Sequence, residues 1–533
     1  MQAASGTVAA ASAAARYGLP RPSAPLTRAA LALAAGAALA ASFAPLNFWP
    51  LAVLAPAVLM WLWQDATPRE AARLGFCFSA ATFAAGTYWL YISIHGFGGA
   101  PIWLAFFLML GLAAIMGLYH AALGYAAARW LPRTGAARWL IALPASWLLI
   151  EWWRGWFLSG FSWLSLGYSQ TDTWLAGFAP LVGVYGISAL LLVSAGALAM
   201  LALGTRRARL IAALVLVVPW LSGAGLRQIS WTHASGAPVA VAVIQGAIPQ
   251  DEKWLATNRE TTLKLYQSLT EQALGMPGVR LIVWPEAATA GVANDLVPYL
   301  DILYGKARAH HVALVMGILR AESAPKGEGA EGVRYFNSVL ALDDTVSWYD
   351  KAHLVPFGEF FPVPHFVRSW LRLMTLPYSD FTPGAPRQPP LPAAHLQLGA
   401  TICYEDAYGS SMLAVLRRAD ALVNVTNDAW FGHSTARHQH FQIARMRALE
   451  AGRYLVRAAN DGISGIIGPH GEVVARAPEF HPVVLVATIV PLEGLTPYAL
   501  VGNWLIVCLA AMALAYTLWL RQCRDRRGVE PSP

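Results

Sequence analysis

The chain has 533 residues, 56% of them hydrophobic and only 13% charged, a balance that excludes an ordinary water-soluble protein and points to a membrane. Its 22 tryptophans fit the same reading, because the indole ring favours the boundary between headgroups and hydrocarbon. Lys+Arg exceed Asp+Glu by 38 to 30, giving +8, yet the arginines stand in short clusters between apolar runs, so the excess reads as membrane topology and no nucleic-acid partner is expected.

Residues 1–27 are rich in Ala, Ser and Pro and lack a convincing cleavage site, which predicts a disordered cytoplasmic tail ahead of an uncleaved anchor. Apolar stretches of spanning length follow at 28–44, 48–64, 71–94, 101–130, 137–156, 174–203 and 207–224, and an eighth lies at 496–520. The first two are short and joined by PLNFWP (45–50), so they could form a hairpin that does not fully cross. Arginine clusters at Arg16, Arg21 and Arg28, at Arg69 and Arg73, at Arg129, Arg133 and Arg138, at Arg206, Arg207 and Arg209, and from Arg521 to Arg527 all fall on one side if eight helices alternate. The expected organisation is therefore a polytopic helical membrane domain over 28–224, an outward-facing domain over 225–495, a last helix at 496–520 and a cytoplasmic tail at 521–533. In EWWRGWFLSGFSW (151–163), Glu151 and Arg154 lie three apart among four tryptophans, which predicts an interfacial anchor.

Beyond residue 237 the pattern changes to short β-branched runs. PVAVAVIQG (238–246), VRLIVWPE (279–286), HVALVMGIL (311–319), FNSVLALDD (336–344), LQLGATICYED (396–406), ADALVNVTND (419–428) and VVLVATIVP (483–491) read as strands, several apolar throughout as in a sheet covered on both faces. Residues 255–275 and 434–452 read as helices. The class is α/β or α+β with a layered core.

Three of these segments end in polar chemistry: Glu286 in VWPE, Lys351 in YDK and Cys403 in ATICYED. A thiol needs a base to take its proton, which a partly desolvated Glu286 could supply, and an ammonium such as Lys351 would favour the thiolate and then an oxyanion. Alternation along a strand would turn Glu405 and Asp406 away from the sulfur. Cys77 and Cys508 lie in apolar stretches and Cys523 follows the last one, so no disulfide framework is available around Cys403. Read from spacing alone, a lone cysteine in an apolar strand is more often buried packing, and a lone Glu or Lys at a strand end is usually a solvated cap.

WPEAA (284–288), YDKAHLVPFGEF (349–360) and CYED (403–406) resemble, in order, the three motifs of the nitrilase superfamily, and with the apolar spans around them the chain resembles the apolipoprotein N-acyltransferase family over about 28–520. The resemblance implies an α-β-β-α sandwich in the periplasm, with both termini cytoplasmic, on the bacterial inner membrane. It implies a phospholipid acyl donor, a thioester on Cys403, and transfer to the N-terminal amine of a diacylglyceryl-cysteine apolipoprotein. Glu286 would be the general base, Lys351 and the Tyr404 N–H would hold the oxyanion, and Glu359, Tyr404 and Glu405 would support the triad. Trp254 in IPQDEKW matches a tryptophan near the acyl entrance, and Phe357 and Phe360 belong to an apolar, proline-broken stretch that also holds Phe361, Phe366, Arg368, Trp370, Leu371, Arg372 and Met374, read as an interfacial lid. NVTNDAWFG (424–432) resembles a later segment near the pocket. The chemistry calls for no cofactor, and His433, His438 and His440 lack a further ligand for a metal. The chain is expected to act as a monomer. A membrane-anchored amidase using the same triad, and a transporter or scaffold, are the alternatives.

Overall fold

The computed structural model describes residues 21–203, 205–324, 332–360 and 381–526. Of the lid stretch, residues 361–380 lie outside these, as does the N-terminal tail to residue 20.

Each predicted apolar stretch holds a helix: α1 (Pro25–Ala40), α2 (Leu51–Leu62), α3 (Pro68–Gly86), α4 (Ile102–Trp130), α5 (Leu143–Arg154), α6 (Ala179–Leu203) and α7 (Arg206–Leu226). Among the described residues, four helical segments are long and apolar enough to cross a membrane, at Ile102–Trp130, Trp174–Ala202, Arg206–Leu226 and Trp504–Cys523, whereas α1 and α2 are shorter. Thr67 starts α3 by accepting the Glu70 N–H, with Pro68 in the first turn, where its missing N–H costs nothing. Small residues let α3 and α4 touch: a Cβ on Gly75 would meet the His120 carbonyl at 2.2 Å, and one on Gly124 the Ala71 carbonyl at 2.3 Å.

The second half is a sandwich of two six-stranded sheets. The first runs through β1 (Val239–Gln245), β2 (Val279–Val283), β3 (Ala313–Ser323), β4 (Val333–Leu342) and β5 (Val346–Asp350). The second runs through β6 (Leu391–Ala393), β7 (Leu396–Ile402), β8 (Ala421–Thr426), β9 (Leu455–Ala459), β10 (Gly465–Ile467) and β11 (Val473–Arg476), while β12 (Val483–Ile489) returns to pair antiparallel with β1 at the edge of the first. In each sheet three central strands are parallel, β1 to β3 and β7 to β9. Val241, Val283 and Val339 of one sheet share a core with Ile402, Val423 and Val456 of the other. Helices α8 (Arg259–Leu274) and α9 (Val297–Ala309) cover the outer face of the first sheet. Helices α10 (Gly409–Leu416) and α11 (Ala436–Ala451) cover the second, giving the expected α-β-β-α layering, and α12 (Trp504–Arg526) closes the chain.

The two halves meet along α11. Its Phe441, Ala444 and Ala448 pack on the sheet, while Ile443, Met446 and Leu449 join the core of the apolar helices. A helix covered on both faces reads as apolar or satisfied all round, and here the polar positions bond across the junction. Gln439 accepts from the Trp163 indole at 2.7 Å and donates to the Gly86 carbonyl at 3.1 Å, and Glu450 accepts the Val184 N–H at 2.8 Å.

One expectation is corrected. Glu151 and Arg154 are each 2% exposed, so they do not anchor at an interface. Arg154 donates to the carbonyls of Phe161 and Trp163 at 2.5 and 2.8 Å, and Glu151 accepts from Ser188 and from the Leu166 N–H. The pair shapes the 155–165 loop from within, because burying both charges requires hydrogen-bond partners on every side.

Candidate active site

The ends of β2, β5 and β7 converge, as the carboxyl ends of strands do in layered folds. Glu286 follows β2 by three residues, and it reaches the pocket because Gly317 on β3 lets the WPE turn press close: a Cβ there would lie 2.5 Å from the Glu286 Cα and from the Pro285 carbonyl. Lys351 directly follows β5 and is 1% exposed. Its Nζ lies 2.8 Å from Glu359 Oε1 and 3.5 Å from Glu286 Oε1. Burial disfavours its charge, but Glu359 and Glu286 outweigh that and hold Lys351 firmly protonated.

Cys403 does not continue β7. The strand stops at Ile402, and Cys403 takes φ 52°, the left-handed region, before a single 3-10 turn over Cys403–Ala407. Strand alternation therefore does not apply to Glu405 and Asp406, and this corrects the reading from sequence. Glu405 bends back to accept the Ile402 N–H at 2.8 Å, the Ala352 N–H at 2.8 Å, the His353 N–H at 3.0 Å and the Tyr349 hydroxyl at 3.0 Å. That carboxylate ties the segment after Lys351 to the nucleophile's strand. Desolvation lifts its pKa to about 7, with the bound N–H groups and Lys351 pulling the other way.

Burial raises the Cys403 thiol above its ordinary pKa and the Glu286 charge adds to this, with Lys351 opposing. At rest the sulfur keeps its proton, so a base must remove it as the sulfur reacts. The arrangement can thus carry out acyl transfer through a thiol, with a carboxylate in reach of a buried ammonium and a cysteine presented on a tight turn.

The comparisons with known proteins cover both halves of the chain. The description "Apolipoprotein N-acyltransferase N-terminal domain" matches residues 35–197, and "Carbon-nitrogen hydrolase" matches 240–498. The apolipoprotein N-acyltransferase of Methylococcus capsulatus is 39% identical over 92% of this chain and 96% of its own. Those of Azotobacter vinelandii and Chromobacterium violaceum are 39% and 40% identical over 92% and 90% of this chain and 94% and 92% of theirs. The chain belongs to the apolipoprotein N-acyltransferase family.

Around the three residues this acyltransferase has a supporting shell that sequence reading only partly found. Glu359 is in place: Oε1 meets Lys351, and Oε2 accepts the Val355 N–H at 2.8 Å. Asn337, which sequence reading missed, donates from one Nδ2 to Glu286 at 2.7 Å and to Glu359 at 3.0 Å, setting the two carboxylates apart. It sits mid-strand in FNSVLAL, where nothing local marks it. Lys253 was missed too. Fully buried, it donates to the Glu286 main-chain carbonyl at 3.1 Å, and desolvation lowers its pKa to about 8 against the pull of Glu286 and Cys403.

Tyr404 stacks on Trp163 and donates to the Gly160 carbonyl at 3.3 Å, so a loop between apolar helices reaches the residue beside the nucleophile. Tyr408 reinforces this with a bond to the Ser159 carbonyl at 2.9 Å. Trp254, next to Lys253, is exposed, as is Phe357 in the turn that carries Glu359, and Phe360 is half-buried. Those placements leave apolar surface on segments tethered to the triad. Among the described residues no cluster of three or more His, Cys, Asp or Glu could hold a metal ion.

Proposed function

We propose that the protein moves an acyl chain from a membrane phospholipid to the N-terminal α-amine of diacylglyceryl-cysteine apolipoproteins, through a thioester on Cys403. The observation that carries this reading is the Glu286–Lys351–Glu359 cluster placed at strand ends with a left-handed Cys403 turn, on a domain joined to long apolar helices.

In the first half-reaction Glu286 takes the Sγ proton as sulfur attacks the donor's ester carbonyl. Lys351 and the Tyr404 N–H face the oxyanion, and the departing lysophospholipid oxygen leaves with the proton held by Glu286. In the second, the acceptor's neutral amine attacks the thioester, Glu286 accepts its proton, and the thiolate departs and is reprotonated as the amide forms. Lys351 stays charged throughout, since Glu359 remains beside it at 2.8 Å while Glu286 takes and returns the proton. A thioester retains acyl-transfer potential that the amide product lacks, so the direction of transfer is downhill.

Water competes for the thioester, and a site set against the bilayer limits it. In this reading the domain of about 225–495 lies in the periplasm of a bacterial inner-membrane protein, with helices 28–224 and 496–520 crossing and both termini in the cytoplasm; the arginine clusters, which fall on one side if eight helices alternate, support that orientation. Trp254, Phe357 and Phe360 would line the acyl path.

Purified full-length protein given phospholipid labelled in its acyl chain should carry that label on Cys403, then pass it to a diacylated lipopeptide. Cys403→Ala should fold and show no adduct by intact mass. Label reaching the peptide amine in that variant would overturn the nucleophile, and ammonia release from small amides without any phospholipid requirement would instead favour an amidase.

A further inference from the structure

The backbone around Cys403 is held from two sides, and only one of the holders lies in the CYED motif. Before the nucleophile, Glu405 grips the Ile402 N–H. After it, the carbonyl of Cys403 lies 3.1 Å from Nε2 of His440 on α11. The other ring nitrogen, Nδ1, lies 2.8 Å from Asp428 Oδ1. His440 and Asp428 are each 1% exposed, so no water competes for these bonds.

Both atoms facing the ring are acceptors, a carboxylate oxygen and a main-chain carbonyl. An imidazole satisfies two acceptors only with protons on both nitrogens. The surroundings balance that charge: Arg457, also buried, donates to Asp428 Oδ2 at 3.0 Å and to the Asn424 side chain at 2.5 Å, and lies 3.4 Å from Asp406. Arg457, the His440 ring and two carboxylates thus form a connected set under the nucleophile's turn. Asp428 stays ionised, since Arg457 and His440 outweigh its desolvation and hold its pKa at about 2.

A non-glycine residue in the left-handed region is strained and persists only where its surroundings impose it. We propose that His440 is a positioning residue that fixes the Cys403 carbonyl and so keeps the thiol aimed at the reacting carbonyl, with Asp428 and Arg457 fixing the ring. The proposal rests on Cys403 being the acyl-carrying nucleophile.

The test uses full-length protein with labelled phospholipid, following thioester formation by intact mass beside the unfolding temperature. An adduct on Cys403 of the unaltered protein must be seen first, and its absence would refute the nucleophile rather than the positioning. His440→Gln can place an N–H where Nε2 was, whereas His440→Asn reaches only the Nδ1 position and keeps the Asp428 contact. H440Q should acylate within about tenfold of the unaltered protein and H440N at least a hundredfold slower, at similar unfolding temperatures. Equal rates for the two, a faster H440N, or rates that merely track the unfolding temperature would overturn the proposal. Should H440N not fold, nitrogen spectra of histidine-labelled protein decide. One histidine protonated on both nitrogens at neutral pH, and missing from H440Q, supports the proposal, and its absence overturns it.

Discussion

Lys351 sits closer to Glu359 than to Glu286, at 2.8 Å against 3.5 Å. The ammonium is therefore bound mainly by Glu359, which moves no proton in the proposed reaction, and stands further from the proposed base. Glu359→Gln should let Lys351 settle on Glu286 and occupy the carboxylate oxygen that must take the Sγ proton. Thioester formation should slow by about tenfold, which corresponds to roughly 1.4 kcal/mol on the barrier. Single-turnover acylation followed across pH checks this, and an unchanged rate would show that Glu359 does not set the balance.

Asn337 separates two carboxylates with one amide nitrogen. Asn337→Leu should cost roughly 1.5–3 kcal/mol of stability, the range for hydrogen bonds to charged groups, and should slow acylation. Asn337→Asp should be worse, because it sets a third buried carboxylate against the other two. Denaturant unfolding of the two variants gives the order, and a more stable Asp variant would contradict it.

Glu405 links pH to stability. Its pKa rises from the usual 4.5 to about 7 in the fold, so the folded state binds the proton more tightly than the unfolded chain. The contribution of this group is present in full below about 4.5 and is lost as pH rises through about 7, an effect of up to roughly 3 kcal/mol. The stability difference between the unaltered protein and Glu405→Gln should therefore fall over that window. A difference independent of pH would refute the shift.

Gly317 gives the WPE turn its position. Glu286 Cα and the Pro285 carbonyl are only 2.5 Å from where a Cβ would stand. Gly317→Ala should cost about 1–3 kcal/mol through overpacking and should slow acylation by displacing Glu286. Unfolding and thioester assays of the variant measure the two effects, and normal values for both would mean that the turn has room to move.

Much of the candidate site was legible because its residue types sit in short motifs at strand ends: WPE, YDK and CYED place a base, a cation and a thiol where a layered fold gathers them. Asn337 and Lys253 were not legible, since one lies inside an apolar strand and the other in a helical turn that looks solvated. His440 enters the sequence reading only among three histidines as a metal ligand, and only packing shows its ring under Cys403. In EWWRGWFLSGFSW the Glu151–Arg154 pair misled for a related reason, because such a pair among tryptophans has the composition of an interface wherever it faces; here the pair is buried while Trp153 and Trp156 are exposed.

The sequence by itself determined the apolar helices, the alternation of strands with helices, and the chemical identities of Glu286, Lys351 and Cys403, because hydrophobic periodicity and residue type act locally. The tertiary structure decided where β7 ends, how Cys403 enters the left-handed region, and which of several buried carboxylates meets which cation. Those depend on atoms brought together from distant segments, such as Glu405 with His353 or His440 with Cys403, and burial turns such contacts from weak surface pairs into bonds that hold the site.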